Sequence, residues 1–264
     1  MSRLSMLVIP GASALPEFYD PLVKAVTARG YDIQALHIPS VGLAAGRREG
    51  ALPTMYDDAA FIATHAAQLA DAGKDVMLIT HSYGGTPGTE SIRGLSKKQR
   101  QRDGMKGGIV GLAYITSLVP NVGEPASSVQ AVRPDRDRVP TAFDEFGWFY
   151  YPDIPRLAEL SFSNMPADEG EAWARKLAKH SSASFTSPLT YAGFKDVPVS
   201  YLLCEEDLAI PAEIQRAGID MIERESGNKV DVTSIKADHV APLSSLDDVV
   251  EWVVRVAQRM GGSS

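Results

Sequence analysis

The sequence predicts a mostly parallel α/β sheet flanked by helices, with a cap inserted after one strand over the strand C-terminal ends. Three observations predict it. Short continuous apolar runs alternate with amphipathic stretches, the pattern of buried parallel strands joined by crossover helices. The last stretch of the chain carries a long apolar stripe at helical spacing. Between Pro120 and Pro198 the rhythm breaks into a segment rich in Pro, Phe, Tyr and Trp. An insertion after one strand of a regular sheet lies over the strand ends. The expected boundaries are therefore a core of residues 1–119 and 198–264 and a cap of residues 120–197.

The elements follow in order. Met6 to Ile9 is a continuous apolar run, stopped by Pro10-Gly11-Ala12. From Pro16 to Arg29, Phe18, Leu22, Val23 and Val26 recur at helical spacing, and Gly30 is a natural stop. Tyr31 to Ile38 reads as the next strand. Thr54 is an N-cap with Asp57 three residues on, opening a helix that runs to Gly73. Asp75 to Thr80 is a strand, followed by a helix from about Tyr83 to Leu95. Ser96 to Gly108 is rich in Lys and Arg and reads as a solvated excursion. Ile109 to Val119, Pro198 to Cys204 and Val230 to Ile235 are further strands. A short helix around Asp168 to His180 sits inside the cap. The closing helix starts near Ser245, for which Ser245 and Asp248 suggest a capping box, and buries Leu246, Val249, Val250, Val253, Val256 and Ala257.

At 264 residues the chain is long enough for one α/β domain with an insertion. Its 26 Lys and Arg against 33 Asp and Glu give a net charge of −7, which argues against a nucleic-acid backbone as partner. A single cysteine, Cys204, excludes an internal disulfide and a cysteine-based zinc cluster. The N-terminal apolar run is too short for a signal peptide, and no run of 18 apolar residues exists. The expectation is a cytoplasmic protein that binds a small molecule and neither nucleic acid nor membrane. A homodimer is compatible with the sequence, which leaves the oligomeric state open.

The chemistry is carried by three strand ends. The strand that includes Val76 to Ile79 runs into Thr80-His81-Ser82-Tyr83-Gly84-Gly85. A serine on a tight strand-to-helix turn is a nucleophile elbow, and the turn tolerates little side chain two residues before and after it. Gly84 meets that demand, whereas Thr80 departs from the usual glycine. Ser40 is also followed by a glycine two residues on, but lacks the strand and helix around it. A serine hydroxyl needs a base, and the base needs a third group to hold its tautomer. The strand at Tyr201 to Cys204 runs into Glu205-Glu206-Asp207, and the strand at Val230 to Ile235 into Lys236-Ala237-Asp238-His239. Ser82, Asp207 and His239 thus fall in the order serine, acid, histidine, each past its own strand end, where open α/β sheets place their sites. Asp207 also reads as a helix N-cap, and Glu205 or Glu206 could be the acid in its place. His37, His65, His81 and His180 fit the base poorly: His81 is differently directed beside the serine, His65 lies in a helix, His180 in the cap and His37 at a strand end. Backbone donors for an oxyanion are expected from Tyr83 and from Ala12 in the loop after the first strand. Ser13, Trp148, Phe149 and Tyr150 are the expected substrate contacts.

On these motifs the chain resembles the α/β-hydrolase superfamily, in the style of small plant methylesterases and hydroxynitrile lyases and their microbial counterparts. The resemblance covers about residues 5 to 260. It implies a Ser82–His239–Asp207 triad and an oxyanion hole from the Ala12 and Tyr83 amides; the serine mechanism expected from these residues requires no metal or organic cofactor. Two departures stand out: Pro10-Gly11 where relatives often have His-Gly, and Val240 where plant-type hydroxynitrile lyases place a lysine. Val240 argues against cyanohydrin cleavage. The expected function is hydrolysis of a carboxylic ester or lactone of medium size and apolar or aromatic character. The alternatives are a cofactor-independent lyase, isomerase or cyclase using the same residues for proton transfer, and a ligand-sensing relative without turnover.

Overall fold

The computed structural model describes residues 4–131, 134 and 137–261, so the outermost ends of the chain lie outside the described residues. The chain begins with β1 (Leu4–Ile9), a 3-10 turn at Pro16–Tyr19, α1 (Asp20–Ala28), β2 (Asp32–Ala35), α2 (Met55–Asp71) and β3 (Asp75–His81). A 3-10 turn at Ser82–Gly84 leads into α3 (Gly85–Glu90), then α4 (Lys97–Arg102) and β4 (Gly108–Ile115). The next segment holds α5 (Ala126–Ala131), β5 (Ala142–Phe143), β6 (Trp148–Tyr150), α6 (Ile154–Ser161), α7 (Ala167–Ala174), β7 (His180–Ser181) and α8 (Ser182–Thr186). The chain closes with β8 (Val199–Cys204), α9 (Ala212–Ser226), β9 (Asp231–Ile235), α10 (Ala241–Ser244) and α11 (Leu246–Met260).

The six-stranded sheet has the order β2-β1-β3-β4-β8-β9, with every pair parallel. The expected parallel α/β fold is the observed one. β1, β3 and β8 are buried along their whole length, as continuous apolar runs covered on both faces must be. β9 is an edge strand and alternates half-buried with exposed residues. The Thr54 capping box forms: the Thr54 hydroxyl accepts from the Asp57 amide, and the Asp57 carboxylate accepts from the Thr54 amide. α11 buries Val249, Val250, Val253, Val256 and Ala257, and also Trp252.

Three local expectations are corrected. Ser245 makes no side-chain cap, because the chain enters α11 directly from α10 with Ser245 at φ −133, ψ 46; that backbone does not aim its hydroxyl at the first turn. The stretch after Ser96 is not wholly solvated: Ser96 caps α4, and buried Arg100 reaches back to Asp71 at 2.6 Å. The helix after the elbow is short, ending at Glu90.

Residues 120–197 carry a small antiparallel sheet, β5-β6-β7. Apolar residues of this segment, Leu157, Phe162 and Ala174 among them, join the same hydrophobic cluster as the main sheet. β7 is tied to the core through the loop after β2: Ser181 N–H donates to the Ser40 carbonyl at 2.9 Å, and Gly42 N–H to the Lys179 carbonyl at 2.8 Å.

Candidate active site

The parallel register brings the C-terminal ends of β3, β8 and β9 to one edge of the sheet. His81 pairs with Ile115, Ile115 with Leu202, and Leu202 with Thr233. The loops carrying Ser82, Asp207 and His239 therefore emerge side by side.

Ser82 sits at φ 52, in the left-handed region that a side chain enters only where the surroundings compel it. The compulsion is steric. A Cβ on Gly84 would lie 2.6 Å from the Ile9 carbonyl oxygen, so β1 passes too close for any other residue. The unusual Thr80 is accommodated from the other side: its methyl lies 2.5 Å from where a Cβ on Gly88 would be.

Ser82 Oγ lies 2.9 Å from His239 Nε2, and His239 Nδ1 lies 2.8 Å from Asp207 Oδ2. A carboxylate only accepts, so Nδ1 carries the hydrogen and Nε2 is left to accept from the serine hydroxyl. Asp207 is buried, with four donors on its two oxygens. Oδ1 accepts the Ala209 and Ile210 amides at 2.8 and 2.7 Å. Oδ2 accepts His239 and the Thr116 hydroxyl. The two sequence readings of Asp207 are thus partly combined: one oxygen orders the following loop, although α9 itself begins later, and the other faces the histidine. Glu205 and Glu206 are exposed, and Glu206 accepts from Asn164 Nδ2 at 2.7 Å.

His81 points away from the serine hydroxyl and into a buried chain of hydrogen bonds. Its Nε2 lies 2.7 Å from the His239 carbonyl, which only accepts, so Nε2 bears the hydrogen and Nδ1 is an acceptor. The Tyr19 hydroxyl therefore donates to His81 Nδ1 at 2.7 Å while accepting the Gly11 amide at 2.9 Å. Burial depresses the His81 pKa to about 3, with the neighbouring His239 adding to the effect. The ring is neutral, as this single-tautomer chain requires. Sequence reasoning missed Tyr19 and this use of His81; neither has a local signal.

The Gly11–Ser13 loop is pinned on both sides. Gly11 N–H is held by Tyr19, and Ser13, at φ 64, donates its amide to His180 Nδ1 at 3.1 Å. Ala12 lies between them and lines the cavity above Ser82. Its amide has no internal acceptor among the described residues. Tyr83 follows the serine in the 3-10 turn, and its buried phenol donates to Asp58 at 2.7 Å. Asp58 is buried, and desolvation raises its pKa to about 6.

A cavity of about 350 Å³ opens over Ser82 and His239. Its walls are mainly apolar: Phe18, Leu118, Phe149, Phe162, Phe185 and Val240 are among them, with the Tyr151 ring. Of the expected contacts, Phe149 lines this space. Trp148 does not, and it is fully buried. Tyr150 is exposed, with Lys179 over its ring. Consecutive strand residues point to opposite sides, so three in a row could not share the cavity; Tyr151, just past the end of β6, lines it beside Phe149. Ser13 is buried and outside the lining. His37 and His65 bond to the backbone carbonyls of Gly42 and Phe61. Cys204 is buried, and burial raises its thiol pKa. Among the described residues no group of three or more His, Cys, Asp or Glu could hold a metal ion, and no helix is long and apolar enough to cross a membrane.

Residues 6–252 match the Alpha/beta hydrolase family. The chain belongs to that family. A probable hydrolase of Phoma sp. is 28% identical over 259 residues, covering 97% of this chain and 99% of that one. Among solved structures, a pyrethroid hydrolase from Sphingobium faniae JZ-2 superposes with a TM-score of 0.72 at 23% identity, covering 96% and 97% of the two chains. Polyneuridine aldehyde esterase superposes with a TM-score of 0.73 at 16% identity, covering 97% of this chain and all of the other. At these identities the two structures attest the shared fold.

Proposed function

We propose that this chain is a serine hydrolase that cleaves a carboxylic ester or lactone of medium size and apolar or aromatic character. The observation that carries the reading is the unbroken path from Ser82 Oγ through His239 to Asp207, at 2.9 and 2.8 Å, on the floor of an apolar cavity. The likeness to hydrolases over the full chain supports it.

The geometry supports the following steps. Ser82 Oγ attacks the carbonyl carbon as its proton passes to His239 Nε2. Asp207 keeps the proton on Nδ1 and stabilises the imidazolium. The oxyanion is taken up by the Ala12 and Tyr83 amides. Collapse breaks the bond to the alcohol oxygen, which leaves with the proton from Nε2. Water then attacks the acyl-serine, giving its proton to His239, and the acid departs as Ser82 recovers its hydrogen. The segment 120–197 acts as a lid: it supplies Phe149, Tyr151, Phe162 and Phe185, which exclude water and hold an apolar acyl or alcohol group.

The test is intact mass after treatment with a fluorophosphonate, on the native chain and on Ser82→Ala and His239→Ala. One adduct on the native chain, lost in both variants, is expected, followed by turnover on a panel of aryl and alkyl esters and lactones. An unlabelled, folded native chain without turnover on the panel overturns the reading.

A further inference from the structure

His180 belongs to the inserted segment, yet it touches both halves of the proposed oxyanion site. Its Nδ1 accepts the Ser13 amide at 3.1 Å, one residue from Ala12. Two residues before it, the Ala178 amide donates to the Ser13 carbonyl at 2.8 Å. Ser13 is thus held through both its backbone groups by residues 178–180 in a left-handed conformation at φ 64. On its other side the His180 ring meets the Tyr83 ring edge-on, with centroids 4.8 Å apart. The ring cannot turn freely. An amide only donates, so Nδ1 is the acceptor and Nε2 carries the hydrogen, which goes to Ser184 Oγ at 3.0 Å. Ser184 passes its own hydrogen to the Ser181 carbonyl at 2.8 Å. Burial depresses the His180 pKa to about 3, so the ring stays neutral and the acceptor is always present.

An oxyanion donor works only if it is already aimed where the charge develops. The Ala12 amide is aimed by its neighbours, Gly11 and Ser13, and Gly11 is secured within the core by Tyr19. Ser13 is secured only from the insertion among the bonds just described. We propose that His180 is a positioning residue that couples the seating of residues 120–197 to the aim of the oxyanion donors, so that full transition-state stabilisation exists only with this segment in place. This rests on the serine hydrolase reading. His180 touches neither substrate nor Ser82; it acts through Ser13 and Tyr83.

The experiment measures fluorophosphonate labelling, separating the limiting rate from half-saturation, for the native chain, His180→Leu, His180→Asn, Ser184→Ala and Ser82→Ala. Asparagine places an acceptor oxygen near the position of Nδ1, whereas leucine fills the space without one. His180→Leu should lower the limiting rate by roughly 10- to 100-fold, the scale of a misplaced catalytic group, with half-saturation unchanged. His180→Asn should recover most of it. A merely structural role would not split rate from binding in this way or be rescued by an acceptor. A folded His180→Leu that labels at the native rate overturns the proposal. If that variant does not fold, Ser184→Ala decides: a several-fold slower limiting rate supports the coupling, and the native rate overturns it. Absence of native labelling together with absence of turnover on the ester and lactone panel, or labelling that survives in Ser82→Ala, overturns the hydrolase reading itself and the coupling with it.

Discussion

The Thr80 methyl group occupies the space beside Gly88 that a Cβ would need, 2.5 Å from the position such an atom would take. Thr80 stands two residues before Ser82, where the elbow favours a residue with no side chain. Gly88 lies in α3, where alanine would ordinarily stabilise the helix by about 1 kcal/mol. The contact reverses that sign, since overpacking a closed site costs about 1–3 kcal/mol. Gly88→Ala should therefore lower the urea midpoint. Thr80→Ser with Gly88→Ala should restore it, because serine keeps the hydroxyl that meets Ser117 and removes the methyl. A Gly88→Ala variant as stable as the native chain would show that Thr80 can step aside.

Tyr19→Phe removes one hydroxyl and orphans two buried groups, the Gly11 amide and His81 Nδ1. Each unsatisfied group costs about 1–3 kcal/mol. The midpoint of denaturation should fall accordingly, and activity should fall more than stability explains, because Gly11 adjoins Ala12. Comparing kcat at a temperature where both forms are fully folded checks this.

Asp207→Asn should leave the fold and lower kcat by roughly 10⁴-fold, the scale seen for such an exchange in a serine protease triad. The amide of asparagine can donate toward Nδ1, which favours the tautomer with hydrogen on Nε2 and takes the acceptor away from Ser82. KM should change little. Steady-state kinetics on the best ester of the panel reads both constants.

Acid stability follows from the buried histidines. His81 and His180 are held neutral, each with its pKa depressed from 6.5 to about 3. Between those limits the unfolded chain binds two more protons than the folded one, so stability is lost as pH falls from about 6.5. Asp58 works the other way: its pKa is raised from 3.8 to about 6, so over that span the folded chain holds the extra proton. Together these three groups contribute about one proton net, or about 1.4 kcal/mol lost per pH unit on acidification between pH 6 and 4. Urea midpoints across this range give the slope. Asp58→Asn should steepen it, because the opposing proton is gone.

The elements that sequence alone placed well are those with a one-dimensional signal. The continuous apolar runs of β1, β3 and β8 became strands buried along their length, and Thr54 with Asp57 became a working cap. Ser245 with Asp248 carried a similar pattern and made no cap, because the preceding helix set its backbone. Trp148, Phe149 and Tyr150 formed an aromatic run in which the pleat of β6, invisible as composition, decided that Phe149 and not its neighbours would face the cavity.

Sequence by itself determined the fold, and the order in which a serine, an acid and a histidine follow three strand ends. Both are properties of periodicity and chain order, which need no knowledge of what lies opposite. Tertiary structure alone decided the partners: Tyr19 with His81, 62 residues apart, Ser13 with His180, 167 residues apart, and Gly88 under Thr80. Hydrogen-bond direction and steric exclusion act over a few ångströms of space. No spacing along the chain encodes which distant side chain will fill them.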